Sequence, residues 1–127
     1  PTTQAPEPDG GGLVLDIVNA STDRTVGSLT GTDRSFAPGE LPAAPLGFDL
    51  ATVPDGTRSV VFTIGGDLSF RQVENYAPYA SFGNAGPNFY GRNLGPGSYT
   101  IRVQVYTGRQ GSGIELDDET LGFEIRG

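Results

Sequence analysis

The chain contains no cysteine, histidine, tryptophan, methionine or lysine. Without cysteine there are no disulfides and no thiolate metal sites. Without histidine the usual general base near neutral pH is missing. With lysine absent as well, only a carboxylate or a terminal amine remains to activate the many Ser and Thr hydroxyls, which argues against nucleophilic hydrolysis. Every positive charge is an Arg; 8 of them face 15 acidic residues, for a net charge of −7. Binding phosphate needs clustered cations, so this balance disfavours nucleic acid and anionic membrane surfaces. A GC-rich genome and a salt-rich habitat explain the lysine-free acidic profile equally well. No apolar run approaches the roughly 18 residues of a membrane span, and no signal peptide is visible. A chain that opens on Pro1 without a leader reads as a piece of something longer.

What is present is turn chemistry and two-residue periodicity. A length of 127 residues suits one domain with a core of its own. Residues 1–12, with three Pro and three Gly and nothing more apolar than Ala5, read as a linker, and residues 13–127 as the module. The linker's Gly10-Gly11-Gly12 is no phosphate loop, because no Lys is at hand. Beyond it, apolar alternation predicts strands over residues 13–19, 24–29, 46–53, 58–64, 68–75, 99–106 and 120–126. Asp55-Gly56 and Gly65-Gly66-Asp67 mark turns between them. Leu94-Gly95-Pro96-Gly97-Ser98-Tyr99 is the most specific signal. A tight turn delivers a Tyr onto a strictly alternating strand, as in the tyrosine corner of Greek-key sandwiches, whose phenol bonds back to the turn. No helical period stands out. The expected fold is all-β, an immunoglobulin- or fibronectin-III-like Greek-key sandwich of about seven antiparallel strands. Lacking the antibody-type Cys pair and core Trp, its core must rest on aliphatics, Phe and Tyr.

The stretch Phe70-Arg71-Gln72-Val73-Glu74-Asn75-Tyr76-Ala77-Pro78-Tyr79-Ala80-Ser81-Phe82-Gly83 carries a family resemblance. So do Gly97-Ser98-Tyr99-Thr100, Val105-Tyr106, Gly111-Ser112-Gly113, Phe123-Glu124-Ile125 and the opening Ile17-Val18-Asn19-Ala20-Ser21-Thr22-Asp23 with Val26-Gly27-Ser28-Leu29. Over residues 13–126 the set resembles immunoglobulin-like or cadherin-like modules strung along secreted bacterial multidomain proteins, carbohydrate-active enzymes and adhesins among them. The resemblance implies a secreted or cell-surface setting and no single activity. Asn84 and Asn88 stand where the pattern favours Asp, which bears on any cation role those positions serve in relatives.

Four constellations bear on chemistry. Glu74, Glu115, Asp117, Asp118 and Glu119 are the candidates for a glycosidase-type carboxylate pair, with solvated loop charges as the plainer account. Leu116-Asp117-Asp118-Glu119 is similar to a cadherin calcium motif, and hard oxygen ligands there suit calcium, although the companion acidic motifs are missing. Arg102, Gln104 and Tyr106 share an outward face, as a binding strip or as cross-strand pairs. Residues 75–93 concentrate Tyr, Phe, Asn and Arg. Flat rings stack on sugar C–H faces while amides and Arg bond hydroxyls; the competing account is a long connection with its own small core, pinned by an Arg71–Glu74 pair. The candidate ligand contacts are Tyr76, Tyr79, Asn88, Tyr90 and Arg92. The expected function is a non-catalytic accessory or spacer module contacting polysaccharide or neighbouring domains of its own polypeptide. The alternatives are a self-associating adhesive repeat and a calcium-stabilised cadherin-like module.

Overall fold

A computed structural model describes residues 13–127, so the linker read over residues 1–12 lies outside the described residues. Among the described residues every regular element is a strand. In chain order they are β1 (Leu15–Asn19), β2 (Arg24–Leu29), β3 (Arg34–Phe36), β4 (Leu46–Leu50), β5 (Ser59–Gly66) and β6 (Phe70–Glu74). Then follow β7 (Tyr79–Ala80), β8 (Asn84–Ala85), β9 (Asn88–Phe89), β10 (Gly97–Tyr106) and β11 (Glu115–Ile125). They form a four-stranded sheet in the order β2-β1-β4-β7, a five-stranded sheet in the order β3-β11-β10-β5-β6, and a two-stranded hairpin of β8 and β9. All pairings are antiparallel except β3 with β11.

Alternation along the strands decides which side chains the two sheets share. On β10, Tyr99, Ile101, Val103 and Val105 are buried while Ser98, Thr100 and Arg102 are exposed. Register sets Ile64, Phe62 and Val60 of β5 against Ile101, Val103 and Val105, and Phe123 and Leu121 of β11 against Tyr99 and Ile101. Leu15 and Ile17 of β1, Leu29 of β2 and Phe48 and Leu50 of β4 join the same cluster from the other sheet. Each fully buried Leu, Ile or Phe contributes about 1.5–3 kcal/mol of transfer free energy, which is why one shared core suffices without covalent staples.

The tyrosine at the start of β10 does what its sequence context predicts. Tyr99 Oη donates to Gly95 O at 2.7 Å, and its ring stacks on Phe123 at 5.2 Å between centroids. Burial, and secondarily Asp67, pushes the phenol above its ordinary value of 10.0, so the hydroxyl remains a donor.

Several boundaries differ from the sequence reading. β11 begins at Glu115 rather than at residue 120, and β5 runs through Gly66, so the turn falls after the glycines. β1 starts at Leu15 and β4 stops at Leu50. β3 and the short strands β7, β8 and β9 are additional: three- and two-residue pieces held by neighbouring strands carry no periodicity of their own. The β3–β11 pairing is parallel, against the all-antiparallel expectation.

The outward faces carry the charge. On the five-stranded sheet Arg102 makes a two-pronged contact with Asp118, Nε to Oδ1 at 3.0 Å and NH2 to Oδ2 at 2.7 Å. That bond holds the Asp118 carboxyl below its ordinary 3.8 and raises the Arg102 guanidinium. Gln104 Nε2 and Tyr106 Oη both donate to Glu115 Oε2, at 3.2 and 3.1 Å. The outward row is thus a set of cross-strand and neighbour pairs. The four-stranded sheet shows the opposite arrangement: Asp16 of β1 sits directly across from Asp49 of β4, and Asp49 Oδ1 is buried without a partner. Burial first, and the Asp16 charge second, raise the Asp49 carboxyl above 3.8.

Tyr99→Phe keeps the stack on Phe123 and removes the corner hydrogen bond, and should cost about 1 kcal/mol in urea unfolding; an unchanged midpoint contradicts the corner's role. Asp49 binds its proton more tightly in the folded chain than in the unfolded one, so its penalty is absent below pH 3.8 and grows as pH rises through the folded value. Asp49→Asn should therefore stabilise the fold by roughly 0.2–1 kcal/mol at neutral pH, with the gain vanishing in acid; a destabilised variant at neutral pH would sink this assignment.

Candidate functional site

The segment between β6 and β10 forms one flank of the molecule, where the edge strand of each sheet comes to the same side. It leaves β6 at Glu74, crosses through the cis Ala77-Pro78 bond and joins the other sheet as β7. Ser81 N donates to Phe48 O at 2.8 Å, extending the pairing with β4 by one residue. The chain then makes an excursion through the β8–β9 hairpin and returns at Arg92, whose backbone exchanges two hydrogen bonds with Leu46 of β4, at 2.8 and 3.0 Å. The excursion is closed at its base by Tyr90 N on Gly83 O at 3.1 Å, and tied to the β1–β2 turn by Phe89 N on Asp23 Oδ1 at 2.8 Å. A Cβ on Gly91 would stand 2.8 Å from Ala20 Cβ and 2.9 Å from Leu46 O. Only glycine lets the returning backbone lie this close to β4.

Beneath the excursion lies a small aromatic core. Phe82 is buried and packs on Phe70 of β6 and Phe48 of β4, at 5.2 and 6.4 Å between centroids. It thus bridges the two sheets at their open flank. The Arg92 guanidinium lies over both Phe70 and Phe82, at 4.9 and 5.6 Å.

This geometry separates the five predicted contacts. Tyr79 is corrected: only 8 % of its surface is exposed, and it belongs to the core as the inward residue of β7 beside Leu50, with no face to offer a ligand. Arg92 is exposed, but its planar group is spent on capping the two Phe rings. Asn88 is exposed on β9 opposite Ala85. Tyr76 and Tyr90 are open, at 68 % and 56 % exposure. They are the two aromatic members of the exposed large hydrophobics among the described residues, and both come from residues 75–93.

Polar groups accompany both rings. Tyr76 shares a shallow concavity of about 310 Å3 with Val73, Glu74, Asn75, Ala77 and Asn84. Gln72 Nε2 donates to Glu74 Oε2 at 2.7 Å. A Cβ on Gly83 would meet Gln72 Nε2 at 3.2 Å and Tyr90 Cδ2 at 3.6 Å, so both side chains border the space above the Gly83 backbone. The sequence reading missed Gln72, and it paired Glu74 with Arg71. Strand alternation forbids that pair: residues three apart on β6 point to opposite faces, whereas Gln72 and Glu74 share one.

The β10–β11 loop also contributes, with no signal in the sequence to announce it. Arg109 lies over the Tyr76 ring at 4.2 Å and donates from NH1 to Asn75 O at 3.3 Å, while Gln110 N donates to Asn75 Oδ1 at 2.8 Å. Ser59 fixes the loop's base, donating to Gly108 O at 2.6 Å and accepting from Gly111 N at 2.9 Å. Tyr76 is therefore backed on one face by a guanidinium held in place.

The acidic candidates do not converge. Glu74 lies on β6 and the others on β11, with β5 and β10 between them. Three strand spacings of about 4.8 Å separate these elements, beyond the carboxylate separations of glycoside hydrolysis. The 116–119 stretch is a strand rather than the acidic loop or calcium loop expected. Alternation sends Asp118 outward to Arg102, whereas Asp117 and Glu119 stand across from Val105 and Val103. Glu119 Oε1 accepts from Leu13 N at 3.2 Å. Among the described residues no three acidic side chains group so as to hold a metal ion, and no helix is long and apolar enough to cross a membrane.

No family model matches the chain, and no curated protein and no solved structure matches it.

Tyr79→Ala removes a core ring and should destabilise the fold by about 3 kcal/mol. Tyr76→Ala and Tyr90→Ala should each stay within about 0.5 kcal/mol of the parent chain. Urea unfolding of the three variants checks this, and equal losses would contradict the division between core and surface tyrosines.

Proposed function

We propose that this chain is a non-catalytic accessory or spacer module of a secreted or cell-surface bacterial protein, and that it contacts polysaccharide through the flank built by residues 75–93. The observation that carries this reading is the pair of open rings, Tyr76 and Tyr90, with Asn84 and Glu74 beside the first and Gln72, bonded to Glu74, near the same Gly83 backbone as the second. Sugars present an apolar C–H face and a rim of hydroxyls. Rings flanked by amides and a carboxylate complement both, and an aromatic anchor with convergent polar groups is the usual make-up of a ligand site. The wide separation of Glu74 from the β11 carboxylates supports binding without turnover.

The same proposal includes an immunoglobulin-like Greek key. Three features support it. The Tyr99 phenol bonds back to Gly95 at the entry to β10. β10 sits between β5 and β11 in one sheet, as the corner strand sits between its neighbours in that fold. β4 lies between β1 and β7 in the other sheet, as the second strand of that fold lies between the first and fifth.

Affinity electrophoresis through gels containing soluble polysaccharides, with pull-down on insoluble ones, tests the reading. The parent chain should be retained by at least one glycan. Tyr76→Ala and Tyr90→Ala should each weaken retention roughly tenfold while remaining folded, as expected for loss of one stacking ring. No retention by any glycan, or retention untouched by both substitutions, overturns it.

A further inference from the structure

The concavity beside Tyr76 has a chemical sign. Of its six lining residues, Val73, Glu74, Asn75, Tyr76, Ala77 and Asn84, Glu74 alone is of a formally charged type, and its sign is negative. At about 310 Å3 the concavity lies at the small end of ligand clefts, which run from about 300 to 1,000 Å3. Glu74 is half-buried and accepts one hydrogen bond from Gln72 through Oε2. A carboxylate offers about four acceptor positions, and the Gln72 bond takes one of them. The amides are partly committed: Asn75 Oδ1 to Gln110 N, Asn84 Nδ2 to Gly86 O. The Arg109 guanidinium that reaches this region is laid on the Tyr76 ring and is not part of the lining.

Resting on the polysaccharide reading above, we propose that this concavity takes a sugar ring that donates hydrogen bonds and carries no negative charge, with Tyr76 as its stacking wall and Glu74 as the specificity-determining residue that rejects uronate and sulfated chains. A neutral sugar supplies two hydroxyl donors to the Glu74 carboxylate, and an amino sugar supplies an ammonium. Both make the charge-assisted bonds that are the stronger kind. A uronate brings its own carboxylate against Glu74, and like charges in contact reduce affinity steeply. Discrimination of this type works by repelling the wrong ligand as much as by holding the right one.

The full chain is run through affinity gels containing a neutral β-glucan, chitosan or polygalacturonate, alongside Glu74→Gln and Glu124→Gln. Both substitutions remove one negative charge, but Glu124 lies on β11, where it accepts from Ser35 Oγ at 3.3 Å, so the second controls for net charge alone. Retention by the glucan or chitosan at least about tenfold stronger than by polygalacturonate, with the gap narrowed by Glu74→Gln and not by Glu124→Gln, is the expected result. Binding to polygalacturonate as strong as to the other two, or equal effects of the two substitutions, overturns the role given to Glu74 and leaves the polysaccharide reading intact. Retention by none of the three polymers, while only a uronate-bearing or sulfated glycan retains the chain, overturns the ligand class alone. Silence across every glycan overturns both.

Discussion

The ring of Phe82 between Phe48 and Phe70 is the contact on which the flank of residues 75–93 depends. Two sheets that share a core still leave a gap where their edge strands meet, and at this flank the gap is filled from outside the ladders. Phe82 belongs to the connection, yet it is buried like a strand residue. Its burial fixes the start of the excursion, the Leu46–Arg92 bridge fixes the return, and the Arg92 guanidinium covers the rings from the solvent side. With both ends held, the residues between them have little freedom, so an exposed ring such as Tyr90 is presented at low entropic cost. The same logic applies to Tyr76, held from behind by a loop that arrives from the far end of β10.

Charge is distributed unevenly over this frame. The five-stranded sheet neutralises its outward row locally, through Arg102 with Asp118 and through Glu115 with Gln104 and Tyr106. These pairs are exposed and individually worth little, but they order the face. The four-stranded sheet instead opposes two carboxylates, Asp16 and Asp49. A chain carrying −7 without lysine has few cations to spare, and four of its eight Arg side chains make described ring or ion-pair contacts: Arg34 over Phe36, Arg92 over Phe70 and Phe82, Arg102 with Asp118 and Arg109 over Tyr76. Three of these are guanidinium planes on aromatic rings, a geometry lysine serves poorly.

The long strands and the corner were legible in the sequence because their information is local. Alternation over 99–106 states which residues of β10 face inward, and the turn before Tyr99 states where its phenol goes. The limits of β11 were not legible, because Glu115, Asp117 and Glu119 look like a loop until β10 supplies their partners. For the same reason the acidic run suggested ligands that alternation then sends to opposite faces. Within the flank, composition singled out the aromatic segment but did not separate its exposed rings from its buried ones. Tyr76 and Tyr79 are three residues apart and chemically identical; only the pairing of β7 with β4 decides that Tyr79 turns inward. Arg109 and Gln72 escaped because their roles come from contacts with residues elsewhere in the chain, which no spacing rule encodes.

The central claim is that residues 79–92 are held as firmly as the sheets they join. Native-state amide hydrogen exchange tests it most directly. Arg92, Ser81, Tyr90 and Phe89 each donate a backbone bond to Leu46 O, Phe48 O, Gly83 O and Asp23 Oδ1 respectively. These four amides should exchange slowly, the first two on the scale of Val103 in the centre of β10. Exchange at unfolded-chain rates across all four, with β10 still protected, would contradict the account.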